Sequence, residues 1–161
     1  MARIILIALL FLSLGSGLRA QEMVDQRVSI LRAAAKHAAR VASDESGQFV
    51  SIYDVHPSSE AEEDGPALLA LAAELGRSVA TSQDIVKCES RSACRSVDGS
   101  RAGFQLSDVK LQGSQGSATL VTWFLSGQTG SLELGGRVDQ VHLVGSDAVW
   151  SVADFRTTTQ Y

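Results

Sequence analysis

The chain has 161 residues, with 14 lysines and arginines against 18 aspartates and glutamates, a formal net charge of −4 and 45% hydrophobic residues. That length suits one hydrophobic core, and the acidic balance argues against nucleic acid or an anionic membrane surface as a partner. Asparagine is absent, so there is no N-glycosylation acceptor, and arginine outnumbers lysine 11 to 3 in an Ala- and Gly-rich chain, the balance of a GC-rich bacterial coding sequence.

Arg3, the apolar run Ile4 to Leu14 and the segment Gly15 to Ala20 have the layout of a secretory signal cut after Ala20. Eleven apolar or near-apolar residues fall short of the roughly 20 that span a bilayer. No cysteine lies near the cut, so no lipoprotein anchor is expected. Residues 1–20 are read as signal peptide and 21–161 as one α+β domain, secreted or periplasmic and not membrane-spanning after cleavage. Loss of Arg3 and Arg19 leaves 12 basic against 18 acidic residues, a net charge of −6.

Met23 to Ala42 reads as a helix, with Val24, Val28, Leu31, Ala35, Ala38 and Ala42 recurring at spacings of four and three. Ser43 to Ser46 and then Gly47 end it. Phe49 to His56 reads as a strand stopped by Pro57. Ser58 to Gly65 is an acidic link without the ligand spacing of a calcium loop, in which Ser59 and Glu62 have the spacing of a capping box and one turn of helix can form. Pro66 and Gly76 bracket a second helix, Ala67 to Leu75, with Leu68, Leu71, Ala72 and Leu75 on one face. A short strand over Ile85 to Cys88 precedes Cys88 and Cys94, which in an oxidising compartment are read as a disulfide pinning a small loop.

The last third carries the sheet. Ser117 to Leu125 alternates with apolar residues on both faces, the mark of a central strand. Val138 to Val144 and Ala148 to Phe155 flank the short polar link Gly145, Ser146 and Asp147 and read as a tight hairpin. Two strands change phase: Trp150 and Val152 give way to Phe155, and Phe104 and Leu106 to Val109 and Leu111. A slip of one residue exposes an apolar set, so a phase change predicts a bulge and a curved sheet. Gly113, Gly116, Gly135 and Gly136 match no phosphate-binding fingerprint and read as turns.

No two histidines stand at metal-ligand spacing, and no metal or cofactor is expected. His37, near the polar edge of the first helix, is read as solvated. Asp54 and His56 share a strand face and are candidates for acid-base or metal chemistry. Gln140 and His142 lie on the face of Val138 and Val144, and Asp139 on that of Val141 and Leu143. Ser107 and Lys110 have the spacing of a serine acyl-enzyme pair but face opposite sides of a strand. No catalytic set emerges. The pocket candidates are Tyr53, Asp54, His56, Trp123, Asp139, His142, Asp154 and Arg156.

The order helix, strand, helix, short strand and antiparallel run, with the closing hairpin Gly145 to Val152 and its Trp150, Ser151 and Val152, resembles the NTF2-like branch of the cystatin-like α+β folds. The resemblance implies N-terminal helices packed on a curved antiparallel sheet. It also implies a group that holds isomerases and dehydratases, binding proteins and assembly domains. The Asp and His pair that many of its enzymes carry in the cone has no match in this reading. The expected function is therefore a non-catalytic module binding a small molecule or a protein. The alternatives are a pocket enzyme and an envelope accessory that acts through its sheet edge as a homodimer or larger assembly.

Overall fold

The structure is a computed structural model that describes residues 2–46, 54–55, 61–75, 86–96, 99, 102–128, 131–146 and 149–161, with helix side chains described over 21–43 and 65–75. Tyr53 and His56, and the expected strand Phe49 to His56 apart from Asp54 and Val55, lie outside these residues. The elements are α1 (Ala2–Ser46), β1 (Asp54–Val55), α2 (Ala61–Leu75), β2 (Val86–Cys88), β3 (Cys94–Ser96), β4 (Ala102–Gln112), β5 (Gln115–Gln128), β6 (Ser131–Ser146) and β7 (Val149–Gln160). The protein is α+β, two N-terminal helices on a strongly curled antiparallel sheet.

Within the sheet β4, β5 and β6 follow one another, and the long β6 is flanked by β7 along one part and by β3 and then β2 at Leu132. Among the described strands, only the two-residue β1 joins in parallel, on β4. The predicted central strand is β5, paired along its length with β6 and over most of it with β4.

Curvature comes from the bulges that the phase changes predict. In β4 the register shifts between Ser107 and Lys110, where Asp108 takes a left-handed φ of 52°. Its carboxylate accepts a bond from the Thr119 hydroxyl at 3.2 Å, the kind of local partner that makes this region tolerable for Asp. The one extra residue of the shift lets Phe104, Leu106, Val109 and Leu111 all face the concave side. In β7 the register passes from Leu143↔Val152 to His142↔Asp154, leaving Ala153 unpaired. Trp150, Val152 and Phe155 thereby share the concave face, although an unbroken strand would put Phe155 on the other.

That face wraps α1. Ile30, Leu31, Ala34, Ala35, Ala38 and Ala42 of α1, with Leu68 and Leu71 of α2, pack on Phe104, Leu106, Leu120, Phe124, Val141, Leu143 and Trp150. Alanines on the helix allow the close approach. Because the sheet and α2 both cover it, the buried band of α1 is wider than the predicted stripe and takes in Ser29, Ala33, His37 and Val41. On the convex side, Val86 and Cys94 of the disulfide-bonded β2–β3 hairpin cover Trp123 and Leu125.

Three expectations are corrected. The second helix starts at Ala61, so the end of the acidic link is its first turn and Pro66 lies inside it. Gly116, Gly135 and Gly136 are strand residues and not turns. The Phe124 ring lies where a side chain on Gly135 would point, and the Tyr161 ring does the same over Gly136, so these positions are small because aromatic rings cross them. Finally, His37 is not solvated but 2% exposed, a wall of the cluster described next.

Candidate functional site

Asp139 is the centre of the candidate site. It stands on β6 in phase with Val141 and Leu143, so its side chain enters the concave side and is fully buried. A buried carboxylate must be paired and hydrogen-bonded, and α1, β6 and β7 converge to do this. Oδ1 accepts from Arg137 Nε at 2.8 Å and from Thr157 Oγ1 of β7 at 2.8 Å. Oδ2 is 3.0 Å from His37 Nε2, across 102 residues of chain. His37 Nδ1 in turn lies 3.0 Å from a guanidinium nitrogen of Arg40.

The tautomer follows from the donors. A guanidinium only donates, so Nδ1 of His37 accepts from Arg40 and the imidazole is neutral, with its proton on Nε2 and donated to Asp139. The titration directions agree with this assignment. Burial, together with the Arg40 and Arg137 charges, lowers the His37 pKa against the opposing pull of Asp139. For Asp139, burial works against the charged form, but the bonds from Arg137, His37 and Thr157 outweigh it and hold the carboxyl below its ordinary value. Phe155 roofs the cluster: its ring meets His37 edge-on at 4.6 Å between centroids and lies under the guanidinium of Arg137 at 4.9 Å and of Arg40 at 5.9 Å. Such contacts add roughly 0.5–1 kcal/mol each at partly exposed sites.

Beside the cluster, α1 and β7 leave a depression of about 220 Å³ walled by Ala33, Lys36, His37, Arg40, Trp150, Ser151 and Val152. A wider and more open hollow of about 380 Å³ lies at the β4–β5 hairpin and includes Lys110, Ser117 and His142.

The sequence candidates separate. Asp139 sits in the cluster and Trp123 is in the convex-side packing. His142, Asp154 and Arg156 share the convex face, where His142 Nδ1 and Asp154 Oδ2 stand 3.6 Å apart with side chains 40% and 77% exposed. That separation is an ion-pair distance and not a hydrogen bond. Asp54 pairs with Gly103 through β1, and its side chain lies outside the described residues. The reading from sequence missed His37, Arg40, Arg137, Thr157 and Phe155. One signal pointed to them: an aspartate in phase with buried Val141 and Leu143 demands partners on the same side. The expectation that no Asp and His pair meets on the concave side is also corrected, since His37 and Asp139 do.

Among the described residues, no group of three or more His, Cys, Asp or Glu side chains is placed to hold a metal ion, and no helix is long and apolar enough to cross a membrane. Compared with protein-family models, curated proteins and solved structures, the chain matches none.

Proposed function

We propose that the chain is a non-catalytic binding domain of the NTF2-like kind, working in the periplasm or the medium. The curled sheet around an N-terminal helix is compatible with that fold group. The disulfide and the lack of a membrane-spanning helix among the described residues fit an oxidising compartment outside the cytoplasm. The observation that carries the reading is the saturation of the His37–Asp139 pair. A general base needs a lone pair aimed at substrate. Here the Nδ1 lone pair is taken by Arg40, and the carboxylate already accepts three bonds. The cluster therefore ties α1 to β6 and β7, and binding is left to the surfaces around it.

A second reading, a pocket enzyme of the isomerase or dehydratase type, is favoured by one observation: His37 and Asp139 meet on the concave side, next to a depression that His37 itself walls. It requires Arg40 to swing off Nδ1. Native mass spectrometry of the chain purified from an oxidising compartment separates the two. A retained small molecule or protein that is chemically unchanged on prolonged incubation, by mass and, because an isomerisation conserves mass, by the proton NMR spectrum of the released compound, supports the binding domain. Conversion of a retained compound, lost in His37→Gln, contradicts it and supports the enzyme.

A further inference from the structure

We propose that the depression between α1 and β7 is a binding site for a small oxyanion, a carboxylate or phosphate group, which accepts a hydrogen bond from the indole of Trp150. This rests on the binding-domain reading and names its site and ligand class.

Trp150 is 5% exposed, and its Nε1–H is buried without an acceptor among the described residues. An orphaned buried donor of this kind costs about 1–3 kcal/mol, and native structures rarely keep one without a reason. The residue is held in place: its backbone N–H is donated to Ser29 Oγ at 2.8 Å, and its ring packs on Gly145. Trp150 is itself one of the walls of the depression, so a small shift of its ring would bring this donor, now out of reach of solvent, to an acceptor bound there.

Electrostatics select the acceptor's charge. Lys36 and Arg40, one turn apart on α1, both wall the depression and both are exposed. The acids that face this part of α1 are engaged. Glu74 of α2 is held by Arg32 at 2.6 and 2.9 Å, and Asp139 by Arg137, His37 and Thr157. The wall is thus cationic on a chain whose net charge is −4. Its backbone contributes as well: the Trp150 amide points away from β6 to Ser29, and the period of two turns the Val152 amide to the same side. At about 220 Å³ the depression is smaller than the roughly 300 Å³ at which drug-sized pockets begin, so it suits a small anionic group.

The test is a titration of the intact, disulfide-bonded chain with inorganic phosphate and, separately, with acetate, at ionic strength matched by chloride. The readout is the pair of indole Nε1–H signals in proton–nitrogen NMR. Trp123→Phe leaves Trp150 as the single indole and makes the assignment without disturbing the depression. The proposal predicts a saturable shift of the Trp150 indole signal with the Trp123 signal unmoved, and a Lys36→Gln variant weakened up to about fivefold, the scale of an exposed charge contact. Saturation by acetate alone assigns a planar carboxylate, and by phosphate alone a tetrahedral group. No shift, or an unsaturable drift shared by both indoles, overturns the proposal. The binding-domain reading then stands or falls separately, on the mass of what the purified chain retains.

Discussion

Asp139 shows how much one side chain organises. It has a cation, a hydroxyl and an imidazole on its two oxygens, so removing it leaves the Arg137 guanidinium and the His37 Nε2–H without their acceptor. Breaking a buried charge pair from one side costs about 3–5 kcal/mol. Asp139→Ala should lose stability on that scale in chemical denaturation, against which Asp154→Ala, in an exposed pair, should lose under about 1 kcal/mol. The same residues set a pH dependence. His37 is lowered in the folded state, so the unfolded chain takes up its proton first. The stability from keeping His37 neutral is full above the ordinary histidine pKa and drains away as pH falls from there towards the lowered folded value. Asp139 is also lowered, and its contribution is lost in a second, more acidic window, below the ordinary aspartate value. Denaturation midpoints should therefore fall in two steps on acidification, and His37→Gln should abolish the first.

At the level of elements, the sheet is shaped by its irregular positions. The bulges at Asp108 and Ala153 decide which face Val109, Leu111 and Phe155 occupy, and the glycines inside β6 admit aromatic rings. Gly135 and Gly136 are neighbours with different tolerances. A methyl on Gly135 meets Phe124, 5% exposed and locked in the core, whereas on Gly136 it meets Tyr161, which is 67% exposed and can turn away. Gly135→Ala should destabilise by about 1–3 kcal/mol as an overpacked site, while Gly136→Ala should stay within about 0.5 kcal/mol, both read from thermal unfolding. Much at this scale was legible in the sequence. The helical period of α1 and the alternation of β5 announce themselves, and the phase changes marked the bulges at Asp108 and Ala153 because a period of two cannot pass through them intact, whereas the register shift beside Thr158 falls in a run of threonines with no apolar phase to change. The start of α2 was legible only in part: the capping-box spacing of Ser59 and Glu62 allowed a helical turn ahead of Pro66, whereas a proline normally marks the first turn itself.

For the whole molecule, the curled sheet closes on α1, and the β2–β3 hairpin is clipped to its convex side by Cys94 packing near Trp123 and Leu125. The Cys88–Cys94 ring is small, so the loop-entropy model gives it about 2–2.5 kcal/mol. Reduction should lower the unfolding midpoint by that amount and disturb the Trp123 environment, while the far-ultraviolet signature of the main sheet and helices persists. Loss of the entire fold on reduction would contradict this division. The α+β architecture was readable from local patterns, because strands and helices advertise themselves within windows of ten or so residues. The buried cluster was not, because its members are contributed by α1, β6 and β7, and only the fold brings position 37 to position 139. Lys36 and Arg40 on either side of His37 also made that stretch of helix look solvated. α1 is enclosed by the sheet on one side and α2 on another, a wider enclosure than an amphipathic stripe implies.

The central claim is that His37 is a neutral, saturated tie between helix and sheet. Long-range proton–nitrogen NMR of the histidine side chains during a pH titration tests it directly. The account predicts a single Nε2–H tautomer for His37, titrating below the ordinary histidine value. A His37 signal that averages both tautomers and titrates at the ordinary value would contradict the account, and would reopen the concave side as a place for catalysis.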